Sequence, residues 1–141
     1  MPGFSKQGAV DASFALDILT FLSSSFTSTA LSGAVLPAGA ITGAAEVYLL
    51  SSAANGTSLT TRTAAQMYAD LQIVSGLQNL NGWSYMLRIT NSSGGTTTLA
   101  AGTGVTLTGT MTMATNTFRD FVVTINNAGA ITIQSVGSGT I

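Results

Sequence analysis

The run WSYMLRITNSSGGTTTLAAGTGVTLTGTMTMATNTFRDFVVTINNAGAITIQSVGSGT, from Trp83 to Thr140, decides the fold. Apolar and hydroxylic residues alternate along it with a period of two, and the alternation breaks mainly at turn residues, which is the pattern of half-buried strands. Trp83, Tyr85, Leu87 and Ile89 share one face of a strand, opposite Ser84, Met86, Arg88 and Thr90. Asn91-Ser92-Ser93-Gly94-Gly95 reads as a tight turn with left-handed positions at its glycines, and Thr96 to Ala100 as the next strand. After a reversal at Gly102-Thr103-Gly104, Val105, Leu107, Met111 and Met113 alternate with Thr106, Thr108, Thr110 and Thr112. Gly109 interrupts that apolar face, as a bulge or a close backbone approach would. Phe118 to Ile125 and Ala130 to Val136 form a hairpin through Asn126-Asn127-Ala128-Gly129, and Gly137 to Ile141 read as a loose tail.

Working outward, Ala45 to Leu50 reads as a strand followed by a reversal at Asn55-Gly56. Thr63 followed three residues later by Gln66 is a capping box, and Ala64, Met67, Tyr68 and Leu71 form an apolar stripe, so a short helix is expected at about 63–74 with its stripe on a sheet. About six short strands at roughly ten-residue spacing predict a mainly β fold, an antiparallel β-sandwich or barrel flanked by one short helix.

Residues 1–40 are expected to form an apolar N-terminal arm ahead of a β-rich domain at 41–141. Phe14, Ile18, Phe21 and Leu22 recur at helical spacing, whereas the hydroxylic run from Ser23 to Thr29 favours extended backbone, so the arm is read as helical or extended. Pro37-Ala38-Gly39-Ala40 marks a turn or linker. The arm either covers this chain's own core or reaches a neighbouring subunit. Its candidate contact residues are Phe14, Leu16, Ile18, Phe21, Leu22 and Phe26. A membrane span or signal peptide does not fit the stretch from Val10 to Phe26, because Asp11 and Asp17 lie inside it and only Lys6 precedes it. A protein made in the cytoplasm of its producer cell without a signal peptide is expected.

Composition narrows function sharply. Of 141 residues, 45% are hydrophobic and only 6% charged, four Lys and Arg against five Asp and Glu, with no His and no Cys. A soluble domain averages about 25% charged residues. Disulfides, zinc fingers, haem ligation, a Cys nucleophile and a Ser-His-Asp triad are excluded, and no cofactor is expected. Nucleic acid is not an expected partner, since phosphate neutralisation needs clustered cations, and neither is a membrane. Neutral surfaces repel one another poorly, which suits a subunit packed against other proteins.

Asp11, Asp17, Glu46, Asp70 and Asp120 are the side-chain carboxylates, and no two adjoin on an expected element, so catalysis by a carboxylate pair is not expected. Arg88 and Asp120 are placed to meet across strands as a structural ion pair. The glycines at 94, 95, 102, 104 and 109 lack the lysine and following helix of a phosphate-binding loop and read as turn glycines. Trp83, Tyr85, Tyr48 and Tyr68 suit a core better than a ligand platform.

The runs SLTTRTAAQMYADL, Ser58 to Leu71, and Trp83 to Thr140 together resemble small virion structural proteins of tailed bacteriophages, most closely the head decoration or cement type. The resemblance covers roughly residues 45–141 and carries no catalytic signature. It implies a non-enzymatic, β-rich subunit of the virion, often a homotrimer, partnered by the major capsid protein of a phage and by copies of itself. Two other readings stand beside it. One is a tail-fibre or receptor-binding module touching host glycans through loops at Asn81-Gly82 and Asn91 to Gly95. The other is a filament subunit whose arm completes a neighbour's sheet by strand addition.

Overall fold

The computed structural model describes residues 25–28, 35–42, 46–49 and 57–141. Among them are nine strands and one helix: β1 Ser25–Ser28, β2 Glu46–Leu49, β3 Thr57–Thr60, α1 Ala64–Ser75, β4 Ser84–Asn91, β5 Thr97–Ala100, β6 Val105–Thr108, β7 Thr112–Met113, β8 Thr117–Asn127 and β9 Ala130–Thr140. A six-stranded sheet runs in the order β1-β2-β4-β8-β9-β6, and a three-stranded sheet in the order β3-β5-β7. Among the described residues the fold is mainly β, in two sheets with one helix; its mainly β character is what the alternation predicts.

The strands are more numerous than expected and the sheets are mixed. Only β4-β8, β8-β9 and β5-β7 pair antiparallel, while β1-β2, β2-β4, β6-β9 and β3-β5 pair parallel. A parallel pair needs a long crossover, and the chain supplies one each time by sending intervening segments elsewhere: β3 and α1 lie between β2 and β4, and β4 lies between β3 and β5. Alternation within a strand fixes its faces but carries no information on the direction of its partner.

Helix α1 forms where the capping box places it. Thr63 Oγ1 accepts from the Gln66 amide and Gln66 Oε1 accepts from the Thr63 amide, each at 3.2 Å. The expected stripe of Ala64, Met67, Tyr68 and Leu71 is buried throughout. It joins one core with Val47, Tyr85, Leu87 and Ile89, with Phe121, Val123 and Ile125, and with Ile131 and Ile133 from the six-stranded sheet, together with Leu59, Leu99 and Met113 from the smaller one. Leu36, Ala40 and Ile41, around the turn at Pro37, are buried in the same core.

Three expectations need correction. Val105 to Met113 is not one strand: the chain leaves the large sheet after Thr108, turns at Gly109 with φ +88°, and enters the small sheet at Thr112. The residues after Val136 are not a loose tail, because β9 continues through Gly137 and Gly139 to Thr140, paired with Thr117. Its passage includes a register shift between Asp120 and Phe121, where Val136 is the extra residue. The turn after β4 does not rest on left-handed glycines, since neither Gly94 nor Gly95 has positive φ. It is organised by the fully buried Asn91, whose Nδ2 donates to the carbonyls of Gly95 at 2.9 Å and Met113 at 3.0 Å while Oδ1 accepts from the Ser93 amide at 3.1 Å. The reversal expected at Asn55-Gly56 and the arm before Ser25 lie outside the described residues.

Both sheets and the helix meet at Gly102-Thr103-Gly104. Thr61 N donates to Ala100 O, Ala64 N to Thr103 O and Ile131 N to Gly104 O, at 2.8–3.1 Å. A Cβ on Gly102 would lie 2.5 Å from the carbonyl oxygens of both Thr61 and Arg62, rigid backbone that has no room to yield. By contrast a Cβ on Gly129 meets only Asn127 Oδ1, at 3.7 Å, with no positive φ. Gly102→Ala is therefore expected to lose about 1–3 kcal/mol of stability by overpacking, and Gly129→Ala to change it little, as read by urea denaturation of both variants.

Candidate interaction surface

The face of the six-stranded sheet turned away from the core is built by register. Ser84, Thr124 and Thr132 form one row across β4, β8 and β9, and Met86, Val122 and Gln134 form the next. Then come Glu46, Arg88, Asp120 and Gly137, followed by Thr90, Phe118 and Gly139. Ser84, Met86 and Arg88 are exposed between the buried Tyr85, Leu87 and Ile89, as the alternation of β4 predicts. Met86 is 52% exposed, large for an apolar side chain.

Two of the three charges on this face are closed against one another, and the third, Glu46, is held by a hydroxyl. Arg88 and Asp120 are direct cross-strand partners, and the guanidinium grips the carboxylate in a fork, Nε to Oδ1 at 2.7 Å and Nη2 to Oδ2 at 3.0 Å. The Arg88 Cζ lies 4.0 Å from the centroid of the Phe118 ring, in cation-π contact. Phe118 in turn lies over Gly139, its cross-strand partner, where a Cβ would come within 2.6 Å of the ring. Glu46 Oε1 accepts from Thr90 Oγ1 at 3.0 Å. The expected Arg88–Asp120 pair is thus present, inside a cluster that also holds Phe118 and Gly139, which periodicity does not single out.

Of the other charges, Arg62 Nε lies 3.0 Å from Asp70 Oδ2 as an ion pair without hydrogen-bond alignment, and Thr42 Oγ1 donates to the same oxygen at 3.3 Å. Arg119 points to the opposite face of β8 from Asp120, donating from Nε to the Thr112 carbonyl at 3.1 Å and from Nη1 to Ser135 Oγ at 3.2 Å. Among the described residues no three of His, Cys, Asp or Glu gather as metal ligands, and no helix is long and apolar enough to cross a membrane. Asp11 and Asp17 lie outside the described residues.

The arm residues Phe14, Leu16, Ile18, Phe21 and Leu22 also lie outside the described residues, and Phe26 is placed only by register, opposite Val47 in the parallel β1-β2 pair. Of the two loops considered for glycan contact, Asn91 to Gly95 turns its polar groups inward, with Asn91, Ser93 and Gly95 all buried. Asn81-Gly82 is exposed. Tyr85 and Tyr68 belong to the core, and Trp83 is half-buried against Tyr85 with ring centroids 5.9 Å apart. Comparison with protein-family models, with curated proteins and with solved structures finds no match to this chain.

The partly exposed Arg88–Asp120 pair, with side chains 45% and 23% exposed, should contribute little: Asp120→Asn is expected to cost under about 1 kcal/mol, less at high salt. Gly139→Val should cost more, because it displaces the Phe118 ring and with it the cation-π contact; thermal denaturation of the two variants at low and high salt compares them. A second expectation concerns Tyr85. Its hydroxyl donates to the Ile41 carbonyl, and burial raises the phenol above its ordinary pKa of 10.0. The folded state therefore resists ionisation that the unfolded state accepts, so this stability is full below pH 10 and falls as pH rises beyond it. Tyr85→Phe should flatten that alkaline decline in an equilibrium unfolding series.

Proposed function

We propose that this chain is a non-enzymatic structural subunit of a virion, of the head decoration type, which attaches to a phage capsid and to copies of itself by many modest contacts. The observation that carries the reading is the outer face of the six-stranded sheet. Its rows from Ser84 to Thr132 and from Met86 to Gln134 are uncharged, its Arg88 and Asp120 already neutralise each other, and its remaining carboxylate, Glu46 on β2, is half-buried and accepts from Thr90. Covering such a face strips water from hydroxyls and methyl groups, which costs far less than desolvating unpaired Lys or Glu side chains. Burial contributes about 25 cal/mol per Å², and symmetric repetition turns modest contacts into durable attachment. The resemblance of the Ser58–Leu71 and Trp83–Thr140 runs to decoration proteins points the same way, toward a homotrimer with the major capsid protein as partner.

The test is the mass of the chain in solution, followed by binding to purified capsid shells. A trimer that binds shells is expected. Met86→Lys combined with Thr124→Lys plants two unpaired cations on the face and should dissociate the oligomer and abolish shell binding while the circular dichroism of the fold is kept. Deleting residues 1–24 leaves β1 in place and reads the arm's share separately. A monomer at high concentration with no affinity for shells overturns the proposal.

A further inference from the structure

We propose that the open cleft between β7 and the far end of the β8-β9 hairpin binds a carboxylate-bearing sugar, with Arg119 as its anchor. This goes beyond the structural role and does not rest on it. The cleft has a volume of about 420 Å³ and is lined by Thr110, Thr112, Thr117, Arg119, Ser138 and Thr140 among others. Two of its floor positions are cross-strand pairs, Arg119 with Ser138 and Thr117 with Thr140, on the side of β8 that carries Phe121 and Val123 further along. Here the core gives out and hydroxyls replace apolar side chains. The volume lies within the roughly 300–1,000 Å³ of small-ligand sites.

Arg119 gives the cleft its chemistry. Of the three described arginines, Arg62 and Arg88 have carboxylate partners, and Arg119 has none among the described residues. Its bonds to the Thr112 carbonyl and Ser135 Oγ fix the plane of the guanidinium from two sides. Nη2 makes no hydrogen bond among the described residues and is not fully buried, and Arg119 is one of the residues that line the cleft. Thr117 Oγ1 spends its proton on the Ala114 carbonyl at 2.8 Å and presents lone pairs, while the hydroxyls of Thr110, Ser138 and Thr140 make no hydrogen bond to other described residues. A fixed cation beside uncommitted hydroxyls matches a ligand with one carboxylate and several hydroxyls. A neutral sugar leaves the guanidinium unanswered, and a polyphosphate chain needs more than one cation.

The experiment is titration of the full chain with glucuronate, galacturonate and N-acetylneuraminate, beside glucose, galactose and acetate, followed by amide chemical shifts. At least one acidic sugar should move the amides of residues 110–119 and 138–140 and bind on the order of tenfold more tightly than the neutral sugars and acetate. Arg119→Gln should remove that preference. Thr110→Glu, at an exposed position, offers the guanidinium a tethered carboxylate and should block the site with Arg119 intact, which keeps the test decisive if Arg119→Gln does not fold. No shift at those amides with any acidic sugar, acetate binding as tightly as the sugars, or undiminished binding by Thr110→Glu overturns the proposal.

Discussion

The structure hangs on a backbone junction where side chains have no place. Between Ala100 and Val105 the chain passes close enough to the start of α1 that Gly102 faces the Thr61 and Arg62 carbonyls, and Gly104, at φ +80°, faces the Gly129 carbonyl and the Ala64 methyl. That approach lets one short segment bond to the end of β3, the first turn of α1 and the start of β9. Gly102 N donates in addition to Thr61 Oγ1 at 2.8 Å, so even the side chain nearest the junction is committed to it. Were either glycine replaced, the segment would move outward and three elements would lose their shared anchor together. The smaller sheet is held to the larger one here and through the common core, since no strand among the described residues belongs to both.

Legibility in the sequence followed the range of each interaction. The helix was readable because its cap is local: Thr63 and Gln66 satisfy each other within one turn. The β8-β9 hairpin was readable because its turn lies between its strands, with Asn127 Oδ1 accepting from the Gly129 amide at 2.9 Å. The faces of β4 followed from period two. What escaped was set by distant chain. The parallel partners of β2, β3 and β6 depend on where intervening segments go, and the switch of sheets at Gly109 looks in sequence like a pause within one strand. Asn91 looks like a turn residue, yet it is a buried bracket joining the loop at Gly95 to the end of β7 at Met113, twenty-two residues along the chain from Asn91.

The surface was legible in the same uneven way. Arg88 and Asp120 meet because an antiparallel pair sets them opposite each other on one face, which alternation anticipates. The Arg119 cleft needs β7 to arrive beside the end of β9, and that follows from the change of sheets at Gly109. A chain with so few ionic groups makes the contrast between these two arginines informative: one charge is retired into a fork with its neighbour, and the other is braced by neutral oxygens and left facing water.

Scarce charge also bears on which surfaces of such a chain are cheap to cover. Exposed strand edges invite pairing, and proteins usually defend them with Lys, Pro, bulges or brevity. Lys and Pro are nearly absent here, but the outermost strands of the described sheets are short: β1, β3 and β6 have four residues each and β7 has two. The longest strand near an edge, β9, is interrupted at Val136. Brevity and a bulge thus do the work that charge does elsewhere, and they leave little continuous backbone for strand addition. The broad sheet face has little such defence, since its Arg88–Asp120 pair repels nothing and Glu46 is its one further charge among the described residues. For a chain that associates as proposed, contact through the face is therefore favoured over contact through the edge, because a face with so little net charge is desolvated at low cost whereas four residues of edge supply only a few hydrogen bonds, each worth about 1 kcal/mol net.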